Sequence, residues 1–373
     1  MIYSEICVEI TDQHDVSPPS SSGAPGSLTC DQSEGRRLST ARCFNMVIAH
    51  RELSNQMFQN TLMSTFDAVT LFDAGAGQAQ GSRDFQEDRY TLIRPEQFPV
   101  ETEDKLAIFA IYDGHGSGLV AVHASKRLHC LLAQRPEFAQ GDYAGAIKAA
   151  LADEDALLLE SFKHDSAEPA ISGSTVAICL INLTTGELVV SNLGDSHVIL
   201  AERDPKRECA YHIRRLTKAH KPEEPSERAR IREAGGSVEM RSGIARVGSL
   251  NMSRALGDLQ YKNPVNSVVG ENSMPRDRHA SSSSTPTRGD FLSNDPYTSR
   301  RTLSSGRRYL LVMVSDGVSD HTDDATLIQH VMKLSMRGKR AGDIAMDVAT
   351  NSGSHPHSDN ASCIVVFLDG QSS

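Results

Sequence analysis

The sequence predicts an α+β sandwich rather than a doubly wound α/β sheet. Apolar runs of strand length come in hairpin-like pairs, the clearest being residues 174–181 and 188–192 on either side of a turn at 184–187. Helical patterns come in pairs between such strands and do not alternate strictly with them. No internal repeat is evident, and 373 residues suffice for one large domain or two small ones.

The first part of the chain is predicted to be an N-terminal extension over residues 1–65 that is partly disordered. It shows no sustained periodicity, and residues 16–26 are rich in Ser, Pro and Gly. A folded domain is predicted over residues 66–370. Its first strand is expected to combine residues 70–72 with a glycine-rich turn over residues 75–81.

The next elements follow from apolar spacing. Residues 106–112 form a continuous apolar run, which is typical of a strand covered on both faces. Residues 119–132 and 143–162 carry apolar positions at helical steps. The charged segment 225–234 has Pro near its start and Gly235-Gly236 after its end, as expected for a helix. The remaining predictions are strands at 197–201, 211–216, 309–314 and 363–368 and helices at 324–335 and 341–351.

One segment breaks this pattern. Residues 263–308 include a low-complexity run from Ser281 to Thr287 and are predicted to be a mobile, Ser-rich insertion. Within it, residues 291–303 are compatible with an irregular strand.

Composition excludes several classes of protein. The formal charge is −10, from 38 Lys and Arg against 48 Asp and Glu, and this acidic balance argues against a nucleic-acid partner. No apolar run reaches the length of a membrane span. The seven cysteines are scattered, odd in number and without a C-x-x-C pair, which favours a reducing compartment over a disulfide framework or zinc ligation. No secretory signal is visible, so the predicted location is intracellular, with cytoplasm preferred over nucleus or mitochondrion.

Carboxylates mark the ends of several predicted strands. They occur in the segment from Arg83 to Asp88, at Asp113 after the run 106–112, at Asp316, and at Asp359. Any one Asp-Gly after a strand is ordinarily a turn, but four such positions on separate strands favour a shared site.

The residue types at these positions suit metal-assisted phosphoester hydrolysis. Mg²⁺ and Mn²⁺ prefer carboxylate, carbonyl and water oxygens, and a pair of such ions can clamp an oxyanion and acidify a shared water. Arg83 can hold a phosphoryl group through two hydrogen bonds. His115, beside Asp113, has the pKa range of a general acid.

Eight short motifs then give the chain a resemblance to the metal-dependent (type 2C, PPM) protein serine/threonine phosphatases. They cover residues 70–369 and stand in the order typical of that family. Each is weak alone, but the ordered set is specific. The motifs are Arg83 to Asp88, Asp113 to Gly116, Ser172 to Thr175, Asn192 to Ser196, His220 to Gly236, Ser253 to Asp258, Ser315 to Gly317, and Ser358 to Asn360.

The resemblance implies a four-layer αββα sandwich, in which two packed, mainly antiparallel β-sheets are flanked by pairs of helices. It also implies a binuclear Mg²⁺ or Mn²⁺ site. Asp113 would bridge the two ions, Glu87 and the Gly114 carbonyl would complete one ion, and Asp316 and Asp359 would hold the other.

The same resemblance assigns the remaining roles. Asp195 would help to bind a weaker third ion, Asp88 would orient a metal-bound water, and Arg83 would bind the substrate phosphate. His115 would protonate the leaving seryl or threonyl oxygen while a metal-bridging hydroxide attacks phosphorus in line, without a covalent phosphoenzyme. Phosphoproteins would be the partners, and the sequence leaves the oligomeric state open.

Two alternatives remain open at the level of sequence. A pseudophosphatase would have lost a ligand or the phosphate-binding arginine, and none is lost here. A hydrolase acting on nucleotides or nucleic acid would require a basic or aromatic groove for its substrate. The content of 5% aromatic residues and the negative net charge do not support such a groove.

The chain departs from the family pattern at Ala219, Ser319 and Asn251-Met252, and none of these positions is a proposed metal ligand. Arg254 and Asp258 are interpreted as structural, since Arg254 can pair with carboxylates and Gly257 permits a tight turn.

Overall fold

The computed structural model describes residues 8–10, 67–164, 168–203, 211–268 and 289–370, which belong to one unit of the chain. In chain order the strands are β1 (Val8–Ile10), β2 (Thr70–Ala79), β3 (Arg89–Ile93), β4 (Leu106–Tyr112), β5 (Gly114–His115), β6 (Gly173–Ser174), β7 (Val176–Asn182), β8 (Glu187–Leu193), β9 (His197–Arg203), β10 (Tyr211–Arg215), β11 (Glu239–Arg241), β12 (Ile244–Arg246), β13 (Leu256–Gly257), β14 (Tyr297–Thr302), β15 (Arg308–Val314) and β16 (Ala361–Asp369).

The α-helices of the described residues are α1 (Leu119–Ala133), α2 (Pro136–Ala139), α3 (Tyr143–His164), α4 (Glu168–Ile171), α5 (Pro225–Glu233), α6 (Val265–Val268), α7 (Asp316–Ser319), α8 (Asp324–Met336) and α9 (Ala341–Gly353). Two short 3₁₀ turns cover Pro95–Gln97 and Leu259–Tyr261. None of these helices has the length and apolarity that crossing a lipid bilayer requires.

Two larger sheets lie at the centre of this unit. The first has the order β1-β10-β9-β15-β16-β2, and only β1 is parallel to its neighbour. The second has the order β14-β8-β7-β4-β3 and is antiparallel throughout. A small sheet of order β13-β6-β5 and the hairpin β11-β12 complete the pairing among described residues.

Alternation of side chains along the strands produces the layers. Along β4, Phe109 and its alternate neighbours face the first sheet, whereas Tyr112 and the residues in step with it face α1 and α3. Along β15, Leu311 packs between the sheets, whereas Val312 packs against α8 and α9. Burial of each such apolar side chain contributes about 1.5–3 kcal/mol to the free energy of unfolding. The predicted sandwich of two mainly antiparallel sheets flanked by pairs of helices is confirmed.

Helix boundaries agree with the local signals. Helix α5 has Pro225 in its first turn and is followed by Gly235 with φ of 84°. Helix α8 is capped by Asp323, whose Oδ1 accepts a hydrogen bond from the backbone N–H of Thr326 at 3.0 Å.

Gly81 lies in a turn with φ of 64°. The rest of the glycine-rich turn expected at residues 75–81 is wrong, because β2 continues through Gly75 and Gly77 to Ala79. They serve close packing: a Cβ on Gly75 would lie 2.3 Å from the backbone nitrogen of Gly342, and one on Gly77 would lie 2.2 Å from that of Met346. Helix α9 therefore rests directly on the backbone of β2. A glycine in a strand often marks such an approach, so Gly75 and Gly77 indicate close packing and not a turn.

Strand β3 and the hairpin β11-β12 were not predicted. The predicted N-terminal extension lies outside the described residues except for β1, and so does the Ser-rich run within 269–288. The described parts of the predicted insertion, residues 263–268 and 289–308, belong to the folded unit. There Phe291 and Leu292 are buried, and β14 pairs with β8.

Candidate active site

Three carboxylates converge where strands of the two sheets end. Asp113 follows β4, Asp195 lies in the turn between β8 and β9, and Asp316 begins α7 directly after β15. Asp113 and Asp316 lie close enough for each to shift the pKa of the other. Carboxylates from three separate parts of the chain are thereby brought near one another.

Burial and mutual repulsion disturb the titration of this cluster. Loss of hydration raises the pKa of Asp113 well above its usual range, and the charges of Asp316, Asp88 and Asp195 raise it further. The pKa of Asp316 is raised to about 7, first by burial and then by Asp195 and other acidic neighbours. Such a concentration of negative charge is stabilised by protons or by cations.

Asp88 is fully buried immediately before β3. Its Oδ2 accepts hydrogen bonds from the hydroxyls of Ser362 at 2.7 Å and Ser315 at 3.0 Å, whereas its Oδ1 has no hydrogen-bond partner. Burial, followed by the charge of Asp359, outweighs the two hydroxyls and raises the pKa of Asp88 to about 6. The unpartnered oxygen is available to a water or a cation.

The segment that carries Glu87 is positioned by Asn360. The Nδ2 of Asn360 donates to the carbonyls of Gln80 and Phe85 at 2.8 and 2.9 Å, and its Oδ1 accepts from the N–H of Glu87 at 2.7 Å. A Cβ on Gly114 would lie 2.5 Å from the Glu87 carbonyl, so these two residues pack backbone to backbone. Asn360 was recognised as part of a motif but not as a positioning residue.

Arg83 and Asp359 form an ion pair with each other. Arg83 Nη2 donates to Asp359 Oδ2 at 2.5 Å, and 58% of the arginine side chain is exposed. The predicted roles, phosphate binding for Arg83 and ion binding for Asp359, do not include this contact. Because an exposed ion pair contributes only about 0–1 kcal/mol, this pair can open when a ligand offers Arg83 a better partner.

His115 is held by Asp258, which the sequence interpretation had treated as structural. His115 Nε2 lies 2.6 Å from Asp258 Oδ2, and His115 Nδ1 has no hydrogen-bond partner. Burial by itself lowers the pKa of His115, but the charge and the hydrogen bond of Asp258 outweigh it, and the pKa is raised.

Asp195 also has a partner that was missed. Lys221 Nζ donates to Asp195 Oδ2, while Asp195 Oδ1 is buried without a partner. The motif at residues 220–236 included Lys221, but nothing in the spacing indicated that its ammonium group reaches the carboxylates. Arg254 pairs with Glu227 through contacts of 2.5–3.1 Å, which agrees with its predicted structural role.

The candidate ligand atoms suit hard divalent cations. They are carboxylate oxygens and one backbone carbonyl oxygen, and no thiolate is among them. Two of the buried carboxylate oxygens, on Asp88 and Asp195, lack hydrogen-bond partners. No group of three or more His, Cys, Asp or Glu side chains within the described ranges is already arranged around one point as a metal cage. Arg83 and Lys221 hold two of the carboxylates, Asp359 and Asp195, so cation binding at those positions would require the two ion pairs to open.

Comparison with known proteins gives consistent results. The family profile of Protein phosphatase 2C matches residues 72–360. Protein phosphatase 2C homolog 2 of Aspergillus flavus is 32% identical over 197 residues, which cover 50% of this chain and 42% of that protein. The protein of the same name from Saccharomyces cerevisiae is 28% identical over 325 residues, which cover 85% of this chain and 62% of that protein. The chain thus spans about half the length of several curated relatives that it matches.

Solved structures share the fold. A serine-threonine phosphatase 2C from Toxoplasma gondii superposes with a TM-score of 0.63 at 20% identity, over 82% of this chain and 97% of that chain. A C. elegans sex determining protein superposes with a TM-score of 0.61 at 24% identity, over 80% of this chain and 65% of that one. At these identities the likeness concerns the architecture alone.

Proposed function

The chain belongs to the protein phosphatase 2C family, and we propose that it hydrolyses phosphoserine and phosphothreonine in proteins with Mg²⁺ or Mn²⁺ bound. The family is generally metal-dependent. The observation that carries the proposal is the convergence of Asp113, Asp195 and Asp316, each from a different strand end. The charge of Asp195 also acts on His115, and that of Asp359, the partner of Arg83, acts on Asp316.

The cation-binding residues follow from the positions described above. Such ions, when bound, lower the pKa of water and neutralise charge on a phosphoryl group. Two ions would be held by Glu87, Asp113, Asp316, Asp359 and the carbonyl of Gly114, and a weaker third by Asp195.

The other side chains bind substrate and move protons. Arg83 leaves Asp359 and holds two phosphate oxygens, which its planar guanidinium group suits. Asp88, held by two serine hydroxyls, accepts a hydrogen bond from the attacking water and so orients it towards phosphorus. His115 gives a proton to the leaving seryl or threonyl oxygen as the P–O bond breaks. Water is the nucleophile, so no phosphoenzyme is expected.

Location and partners follow the same proposal. Cys179 and Cys363 are buried free thiols, and Cys130 is a partly exposed one, which supports the proposed reducing, intracellular compartment. We propose phosphoproteins as the partners and no nucleic acid.

The deciding experiment measures phosphate release from a phosphothreonine peptide and from a nucleoside triphosphate, with Mn²⁺, with Mg²⁺ and with a chelator. We expect peptide hydrolysis only with the ions, and a loss of about 10²- to 10³-fold in kcat for Asp316→Asn, because ion-mediated stabilisation contributes several kcal/mol. Calorimetric titration with Mn²⁺ reports ion binding separately from activity. The affinity for Mn²⁺ should be lower in the Asp316→Asn variant.

Asp324→Asn is a matched control, since Asp324 begins α8 as Asp316 begins α7 but pairs with Arg215. It should retain activity. Hydrolysis that persists in chelator, an Asp316→Asn variant with full activity, or a preference for the nucleotide would contradict the proposal.

A further inference from the structure

Asp258 is a buried carboxylate whose only described hydrogen-bond partner is His115. Its exposed fraction is 1%, its Oδ2 contacts His115 Nε2, and its Oδ1 has no partner. Buried carboxylates usually have several partners. Asp258 also has φ of 49°, a left-handed conformation that a non-glycine residue rarely adopts. An unfavourable backbone conformation and an under-satisfied charge at one residue point to a functional constraint.

The small sheet β13-β6-β5 brings the two side chains together. Gly173 of β6 is the register partner of both His115 on β5 and Gly257 on β13. A Cβ on Gly173 would lie 1.9 Å from Asp258 Oδ2 and 2.4 Å from His115 Nε2. The absence of a side chain at Gly173 therefore makes room for the hydrogen bond across the middle strand.

The loop that carries Asp258 is anchored to α3. Asp155 accepts a hydrogen bond from the N–H of Gly257 at 2.8 Å and forms a buried ion pair with Lys262 at 2.5 Å. The N–H of Asp258 itself donates to the carbonyl of Ser172 at 2.8 Å. The backbone that carries the carboxylate is thus held on both sides of the middle strand, as is required of a residue that sets the orientation of a neighbouring ring.

We propose that Asp258 is a positioning residue for the general acid: by accepting a hydrogen bond from His115 Nε2, it makes Nδ1 the nitrogen that protonates the leaving oxygen. This inference rests on the proposed function and deepens it. In the chemical step, water adds to phosphorus and the P–O bond to the seryl or threonyl oxygen breaks. That oxygen takes the Nδ1 proton of the imidazolium, and the protons of the water leave with the phosphate, which releases one of them to solvent. The proton on Nε2 stays on that nitrogen, hydrogen-bonded to Asp258, and Nδ1 regains a proton from solvent.

The test compares two substrates with Mn²⁺ present: a phosphothreonine peptide, whose leaving oxygen needs a proton, and p-nitrophenyl phosphate, whose leaving group departs without one. Asp258→Gly removes the acceptor and suits the left-handed backbone. We expect it to lower kcat on the peptide about 10- to 100-fold, with little change on the aryl phosphate. Asp258→Asn keeps an oxygen that can accept from Nε2 and should retain part of the activity.

Two further variants make the result specific. His115→Ala should show the same selective loss, and the double variant with Asp258→Gly should lose no more than His115→Ala alone, because the two residues act as one unit. Gly173→Ala separates the pair sterically without changing a charge, and should reproduce the selective loss if Asp258→Gly fails to fold. Asp347→Asn is the control: its carboxylate contacts His330 Nε2 at 2.7 Å in an exposed pair outside the site, so the ratio of the two rates should not change.

Equal losses on both substrates, losses that multiply in the double variant, or peptide hydrolysis at the wild-type rate in Asp258→Gly would each overturn the positioning role. If the proposed function is wrong, the wild-type protein will hydrolyse neither substrate with Mn²⁺. If only the positioning role is wrong, the wild-type protein will still hydrolyse both.

Discussion

At the scale of single residues, the carboxylates of the site differ in the group that compensates their charge. Asp88 is compensated by two hydroxyls, Asp195 by an ammonium group, Asp258 by an imidazole and Asp359 by a guanidinium group. The charges that act on Asp113 come from other carboxylates, those of Asp316, Asp88 and Asp195. The compensating groups with the most mobile side chains, Lys and Arg, are the ones that a bound cation or phosphate can displace at least cost.

Replacing Arg83 by Ala should chiefly weaken substrate binding. A hydrogen bond to a charged group contributes about 1.5–3 kcal/mol, so we expect KM for the phosphopeptide to rise about 10- to 100-fold with a smaller change in kcat. Arg83→Lys should be intermediate, because an ammonium group binds phosphate without the two parallel hydrogen bonds. Steady-state kinetics with both variants provide the measurement, and an unchanged KM in Arg83→Ala would rule out phosphate binding by this residue.

At the scale of elements, helices are attached by two different means. Helix α9 meets β2 where glycines leave the strand backbone bare, as at Gly77 beside Met346. Helix α5 is instead tied to the segment before β13 by Glu227, which accepts hydrogen bonds from Arg254 and from the hydroxyl of Ser253. Although burial by itself raises the pKa of Glu227, these hydrogen bonds and the arginine charges outweigh it and lower the pKa to about 2.

The Glu227 contacts should make stability depend on acid pH. Because the folded pKa of about 2 lies below the ordinary value of 4.5, the stabilisation is complete above pH 4.5 and is lost as pH falls from 4.5 towards 2. The difference corresponds to about 3 kcal/mol. Urea unfolding of the wild type and Glu227→Gln between pH 7 and pH 3 should show the variant less stable at neutral pH, with the gap closing in acid.

A suitable comparison is Glu239→Gln, which changes a carboxylate that pairs with Arg241 at the surface. Its unfolding free energy should follow that of the wild type at every pH. Curves for the wild type and Glu227→Gln that stay parallel down to pH 3 would show that the Glu227 ion pair contributes no linked stability.

At the scale of the whole molecule, three apolar clusters form the layers. One lies between α1 and α3 and the second sheet, one between the sheets, and one between the first sheet and the helices α8 and α9. Their buried members run from Val69 to Leu368. We therefore propose that residues 66–370 are the catalytic domain, with 289–308 belonging to it and residues 1–65 as an extension.

A chain of residues 66–370 alone should fold and hydrolyse the phosphopeptide at a rate close to that of the full protein. It lacks β1, which pairs only at the edge of the first sheet, and an edge strand contributes less than the three clusters. Thermal unfolding and kcat/KM of the two proteins provide the comparison. A shortened chain that aggregates or is inactive would place part of the domain in the first 65 residues.

The sequence by itself determined the long buried strands, the five described helices of nine or more residues and the positions of the carboxylates at strand ends. These features depend on apolar spacing, on Pro and Gly at helix ends, and on short motifs, all of which are local. The run 106–112 and the helix ending before Gly235 are cases in which the local pattern sufficed.

Only the tertiary structure decided which polar groups meet. Arg83 and Asp359 are 276 positions apart, Glu87 and Asn360 are 273 apart, and His115 and Asp258 are 143 apart. A hydrogen bond requires donor and acceptor to lie within about 3 Å, and whether distant segments approach so closely depends on sheet register and helix packing. For the same reason, the local pattern could not distinguish a glycine in a turn from a glycine beneath a helix.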